Sequence, residues 1–171
     1  MRKLTILFIV LAATIVAAAQ ESPKPIVVQS DAKKAFEKLK TLSGSWQGTV
    51  MNIPINFTIR AASSGTAILH EGTTEKGPPD HEITMIYVEE DRLLAIHYCD
   101  AGNRSRMEGK MLPDGKSIEF SFLDVAGSIK GGLVKRMLFT ITEANKHVVE
   151  LTFVMPNAKP MELRGEFTKT K

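Results

Sequence analysis

The residues best able to do chemistry crowd into one stretch. Ala95 to Gly109, AIHYCDAGNRSRMEG, carries His97, Tyr98, the chain's only cysteine (Cys99), Asn103, Arg104 and Arg106. A histidine beside a tyrosine and an arginine can move a proton and orient a polar substrate. His97 is therefore a candidate acid/base, with Tyr98 or Arg106 as its positioning partner. Strand register decides whether these groups meet. With Asp100 to Asn103 as a hairpin loop, Cys99 faces Arg104 and His97 faces Arg106. The polar groups then form an outward, solvated surface. A slip of one residue sets His97 and Cys99 beside Ser105 and Met107, inside the fold.

The remaining chemistry is sparse. His70, His81, His97 and His147 fall on four separate strands, without the short spacing of a zinc motif, so no metal site and no cofactor are expected. There is no Gly-x-Ser-x-Gly elbow and no glycine-rich phosphate loop. Glu89, Glu90 and Asp91 are consecutive at a hairpin tip and read as a solvated turn, because nothing there separates their pKa values. Two glycosylation sequons, at Asn56 and Asn103, carry meaning only in a host that glycosylates.

The elements that must position these residues are strands. From Gly44 onward, apolar residues recur with a period of two. Ile53, Ile55, Phe57 and Ile59 share one face, as do Ile118, Phe120 and Phe122, then Val149, Leu151 and Phe153, then Met161, Leu163 and Phe167. Ten such runs follow: 45–51, 53–60, 66–73, 81–88, 92–99, 104–111, 117–124, 133–142, 147–154 and 160–168. The gaps hold turn residues such as Pro113-Asp114-Gly115 and Gly131-Gly132. A meander of this length gains by closing on itself, which removes its two exposed edges. The expected fold is all-β, a ten-stranded antiparallel up-and-down barrel preceded by one short helix. That helix spans 31–42, capped by Asp31, with Phe36, Leu39 and Leu42 on one stripe. The fifth run, RLLAIHYC, is apolar on both sides and needs a cover, from the helix or from a second subunit.

The N-terminus reads as a targeting segment. Arg2 and Lys3 precede an apolar run from Leu4 to Ala19 that ends in three alanines, the pattern of a secretory signal peptide cleaved after Ala19. The run is short for a spanning helix, which needs about 20 residues, so no membrane span is expected after cleavage. Residues 20–30 form a flexible leader and 31–170 the single barrel domain. Periplasmic or secreted localisation follows. Loss of Arg2 and Lys3 leaves 20 basic against 19 acidic residues, which argues against a nucleic-acid partner. Cys99 is alone, so no internal disulfide staples the fold, and a homodimer remains open.

Residues 39–50, LKTLSGSWQGTV, place Gly44-x-Trp46 after a helix tail. This resembles the opening of the calycin barrels: lipocalins, fatty-acid-binding proteins and the haem-binding nitrobindins. The resemblance implies that Trp46 closes the barrel floor beneath a cation from the last strand, Arg164 or Lys169. Residues 81–122, with His97-Tyr98-Cys99, Gly102-Asn103, Arg106-Met107 and Pro113-Asp114-Gly115-Lys116, look like secreted bacterial lipocalin-like proteins. That likeness covers Phe36 to Thr168 and implies a fold without an activity. Nitrobindins hold haem through a histidine close to the C-terminus. This chain has none after His147, a departure that argues against haem.

Three functions compete. The leading one is an exported binding protein that holds a small apolar or amphipathic molecule in a barrel cavity above about 300 Å³. Its expected lining is Trp46, Met85, His97, Tyr98, Arg106, Met107 and Phe120. The methionines Met85, Met107, Met137 and Met161 are expected on inner faces, where their flexibility suits an adaptable site. The second is a structural or interaction protein with a filled barrel. The third is an enzyme that uses His97.

Overall fold

The computed structural model describes residues 29–74 and 81–170. The expected signal segment, and the leader up to residue 28, lie outside the described residues. One helix, α1 (Asp31–Lys40), precedes ten strands: β1 (Gly44–Val50), β2 (Ile53–Ala62), β3 (Ala67–Thr74), β4 (His81–Glu89), β5 (Arg92–Cys99), β6 (Asn103–Met111), β7 (Ser117–Gly127), β8 (Leu133–Glu143), β9 (Lys146–Val154) and β10 (Met161–Lys169). Each strand pairs antiparallel with its sequence neighbours, and β1 pairs with β10, so the sheet is a closed barrel. Closure gives every strand a partner on both sides, although the β7–β8 ladder covers only Ser117–Ser121 of β7.

The helix differs from expectation at both ends. Ser30 is the cap, its hydroxyl accepting from the Lys33 N–H at 3.3 Å. Asp31 instead becomes the first helical residue and pairs with Lys34. The helix stops at Lys40, and Leu42 sits in the turn that follows. Ala35, Phe36, Leu39 and Leu42 are nonetheless fully buried, packed in one cluster with Ile59, Ile68, Ile86, Leu93, Phe120 and Phe139. The helix thus plugs one end of the barrel. Trp46 belongs to this floor; its indole N–H donates to the Leu42 carbonyl at 2.8 Å, and Lys169 lies 5.5 Å from its ring centroid. Of the two cations weighed, Lys169 takes the place above the tryptophan.

The interior has two levels. Near the helix, Trp46, Leu93, Met107, Ile118, Phe120 and Phe139 are shut off from solvent and fill the lumen. Toward the opposite end the inward side chains leave the lumen hollow. There the β7–β8 ladder ends at Ser121 and Arg136. The Asn103 amide bridges the space by donating to the Ser128 and Gly132 carbonyls at 3.1 and 2.7 Å. Asn103 is almost fully buried by this, so its sequon does not sit on the surface.

Candidate functional site

Strand register decides which way His97 faces. Cys99 pairs with Asn103 and His97 with Ser105, so the hairpin loop is Asp100-Ala101-Gly102. Gly102 has φ +83°, a left-handed conformation that glycine adopts without strain, and this permits the three-residue loop. His97 and Cys99 therefore lie on the inner face with Ala95, Ser105 and Met107. Tyr98, Arg104 and Arg106 lie on the outer one.

The hollow level contains a cavity of about 220 Å³, lined by Val50, Ile55, Phe57, Met137, Leu151 and Phe167 among others, together with His70, Gly72, Glu82, Thr84 and His97. Its walls differ. Strands β2, β9 and β10 contribute Ile55, Phe57, Val149, Leu151, Leu163 and Phe167. Strands β4 and β5 contribute Glu82, Thr84 and His97, and the inward-facing Cys99 and Ser105 extend the same polar side. The cavity is mostly apolar, with its few polar groups gathered on one wall.

The His97 Nδ1 bonds the Thr84 hydroxyl at 2.9 Å, an interaction almost wholly enclosed. Among the described residues its Nε2 has no hydrogen-bond partner, and neither has His70 Nε2. Burial lowers the His70 pKa to about 3, with repulsion from His97 and His147 adding to it. Burial likewise lowers His97 to about 4, against a weaker pull from Asp100. Both rings are neutral near pH 7. Each then offers one N–H donor or one lone pair to whatever enters. Burial pushes the Cys99 thiol up to about 12, helped by the Glu82 and Asp100 carboxylates. The free thiol is therefore a poor nucleophile.

Of the expected lining, His97 alone borders this cavity. Met107 and Phe120 face inward but are consumed by the filled level, and Trp46 is part of the floor. Met85, Tyr98 and Arg106 must be moved to the outside: Met85 is 38 % and Tyr98 42 % exposed, and Arg106 pairs with Asp124 on β7. The reason is parity. Thr84 and Glu82 point inward, so Met85 between Thr84 and Ile86 cannot. Met161 is also exposed, leaving Met107 and Met137 as the inward pair. An enzyme built on His97 with Tyr98 or Arg106 as partner loses that partner, because the sheet separates them. No sequence motif singles out Glu82, Thr84 or Gly72, and His70 stands out only as one of four histidines without metal-motif spacing. Their signal is the inward parity of β3 and β4, which becomes informative only once β5 is assigned.

His147 is equally hidden but does not border the cavity. Its ring stands edge-on to Trp46 at 4.2 Å between centroids and lies near Phe57 and Phe167. His147, the last histidine of the chain, is thus enclosed by three aromatic rings.

Comparison with known proteins adds a fold. No protein-family model matches the chain, and no curated protein matches it. Among solved structures it is similar to Rv2717c from M. tuberculosis, at 14 % identity and a TM-score of 0.61, covering 80 % of this chain and 98 % of that one. At this identity the likeness speaks for the barrel alone. No described helix is long and apolar enough to cross a membrane.

Proposed function

We propose that this protein is an exported, lipocalin-like binding protein that holds one small amphipathic molecule in the hollow half of its barrel. The carrying observation is the two-sided cavity: apolar side chains from β2, β9 and β10 face neutral histidines whose Nε2 atoms lack hydrogen-bond partners among the described residues. Apolar surface supplies the driving force for a ligand's hydrocarbon part, at about 25 cal/mol per Å² buried. The unpaired imidazole nitrogens reward a ligand hydroxyl or carbonyl that satisfies them. The cavity is smaller than the 300 Å³ expected and lies below the usual range of drug-sized sites. The ligand class is therefore of one- or two-ring size rather than a long-chain lipid. Export is supported by the Arg2-Lys3, apolar run and Ala17-Ala18-Ala19 pattern.

The test is titration of delipidated protein with 2-naphthol, followed by its fluorescence, with naphthalene as the analogue lacking the hydroxyl. Saturable one-to-one binding of 2-naphthol, weakened by loss of the hydroxyl, is expected. Absence of binding by both compounds would overturn the reading.

A further inference from the structure

Three metal-binding donor atoms converge on the polar side of the cavity, on neighbouring strands. A Glu82 carboxylate oxygen on β4 and a His97 ring nitrogen and Cys99 Sγ on β5 all lie within 4.8 Å of one another. Cys99 Sγ is 3.6 Å from Glu82 Oε1, and His97 Nε2 is 3.9 Å from the same oxygen. In a tetrahedral zinc site, with Zn–S about 2.3 Å and Zn–N or Zn–O about 2.0–2.1 Å, such edges measure about 3.3–3.5 Å. Of the three edges, Cys99–Glu82 is close to that length, His97–Glu82 must close by about half an ångström, and His97–Cys99 lies within 4.8 Å.

A hydrogen-bonded trio without metal accounts for the thiol, which points at Glu82 and, at 3.5 Å, Asp100. It does not account for His97. That side chain is 3 % exposed and its Nε2 has no hydrogen-bond partner among the described residues, a state that costs the desolvation of a polar nitrogen. Its other nitrogen is held by Thr84, itself 2 % exposed. With Nδ1–H donating to the Thr84 hydroxyl, Nε2 presents its lone pair to the cluster. Metal-binding histidines are commonly oriented this way by an outer partner.

We propose that Glu82, His97 and Cys99 bind a zinc ion, leaving a fourth position open to the cavity. The donor set is mixed nitrogen, sulfur and oxygen, which suits zinc and disfavours calcium or magnesium, which take oxygen ligands. The carboxylate and the thiolate offset the ion's two positive charges. On binding, the Cys99 S–H bond breaks, sulfur keeps the electron pair and bonds the metal, and the proton leaves to solvent. Zinc does not require an organic ligand in the cavity, but it would occupy the His97 Nε2 that the small-molecule reading also uses, leaving His70 Nε2 and the open zinc position as that ligand's polar anchors.

The test uses the full chain without an affinity tag, stripped by chelator and titrated with cobalt(II), then zinc. One cobalt per chain is expected, with a thiolate-to-cobalt charge-transfer band that zinc abolishes by displacement. Cys99→Ser should remove the band. Thr84→Val should weaken zinc about 10–100-fold by freeing the imidazole, while Glu108→Gln on the outer face should change nothing. One proton is released near neutral pH, and the charged and titratable groups facing the thiol are Glu82, Asp100 and His97. Apparent affinity should thus rise about tenfold per pH unit between about 6 and 8. No stoichiometric uptake, or a Cys99→Ser protein that binds as tightly as wild type with an unchanged spectrum, would sink the assignment.

Discussion

Three histidines are buried inside one small barrel, and their neutrality links them to acid stability. Burial is the main cause for each: it lowers His70 to about 3 and His97 and His147 to about 4. In the unfolded chain they return to about 6.5. Between those values the unfolded state binds protons that the folded state refuses. Stability is therefore full above about pH 6.5 and falls as pH drops toward about 4, each histidine adding about 1.4 kcal/mol per pH unit to the slope. The carboxylates with lowered values, Asp31, Glu108 and Asp114, are surface groups whose effects belong at lower pH. Urea unfolding measured from pH 7 to pH 5 should show uptake of more than one proton. His147→Phe, which keeps a ring among Trp46, Phe57 and Phe167, should reduce that uptake by one. A flat profile over this interval would show that the imidazoles are ordinarily solvated.

At the scale of elements, the filled half of the barrel depends on a missing side chain. Gly109 on β6 pairs with Leu93 and Phe120. A Cβ there would sit 2.6 Å from the Phe120 ring and 2.7 Å from Leu93. Gly109→Ala should therefore destabilise the fold by about 1–3 kcal/mol, as overpacking does, and Phe120→Leu should recover part of the loss; chemical denaturation of the single and double variants measures both. Alternating strands such as β2, β7 and β10 could be read from sequence because one-sided burial writes a period of two. The β5 strand could not, because its outward Leu94 is as buried as its inward Leu93 and Ala95. Without parity on β5, the loop after Cys99 has two registers, and the pair Glu82–Cys99 is invisible. Ser30, rather than the equally suitable Asp31, caps α1, an ambiguity of one residue that spacing alone leaves open. The candidate site was legible in His97 alone, since its other members sit on strands whose inward face is set by pairing across the sheet.

At the scale of the whole molecule, the division of labour runs along the barrel axis. The helix, Trp46 and the phenylalanines build a dense floor, and closure through β1 and β10 secures the wall. Those contacts hold the fold, so the far half can stay hollow without collapsing. Gly72 tests that division. It borders the cavity, pairs with inward-facing Phe57 and Glu82, and has no positive φ. A Cβ there would meet nothing nearer than the Glu82 carbonyl oxygen at 4.0 Å. Gly72→Ala should stabilise the strand by about 0.5–1 kcal/mol, by removing glycine's excess chain entropy. Gly72→Leu should place a larger apolar group in the cavity, leave the near-ultraviolet circular dichroism of the Trp46 floor unchanged, and abolish 2-naphthol binding. A folded Gly72→Leu protein that still binds the probe at wild-type strength would mean that the ligand sits elsewhere, and the hollow half would lose its claim to be the binding site.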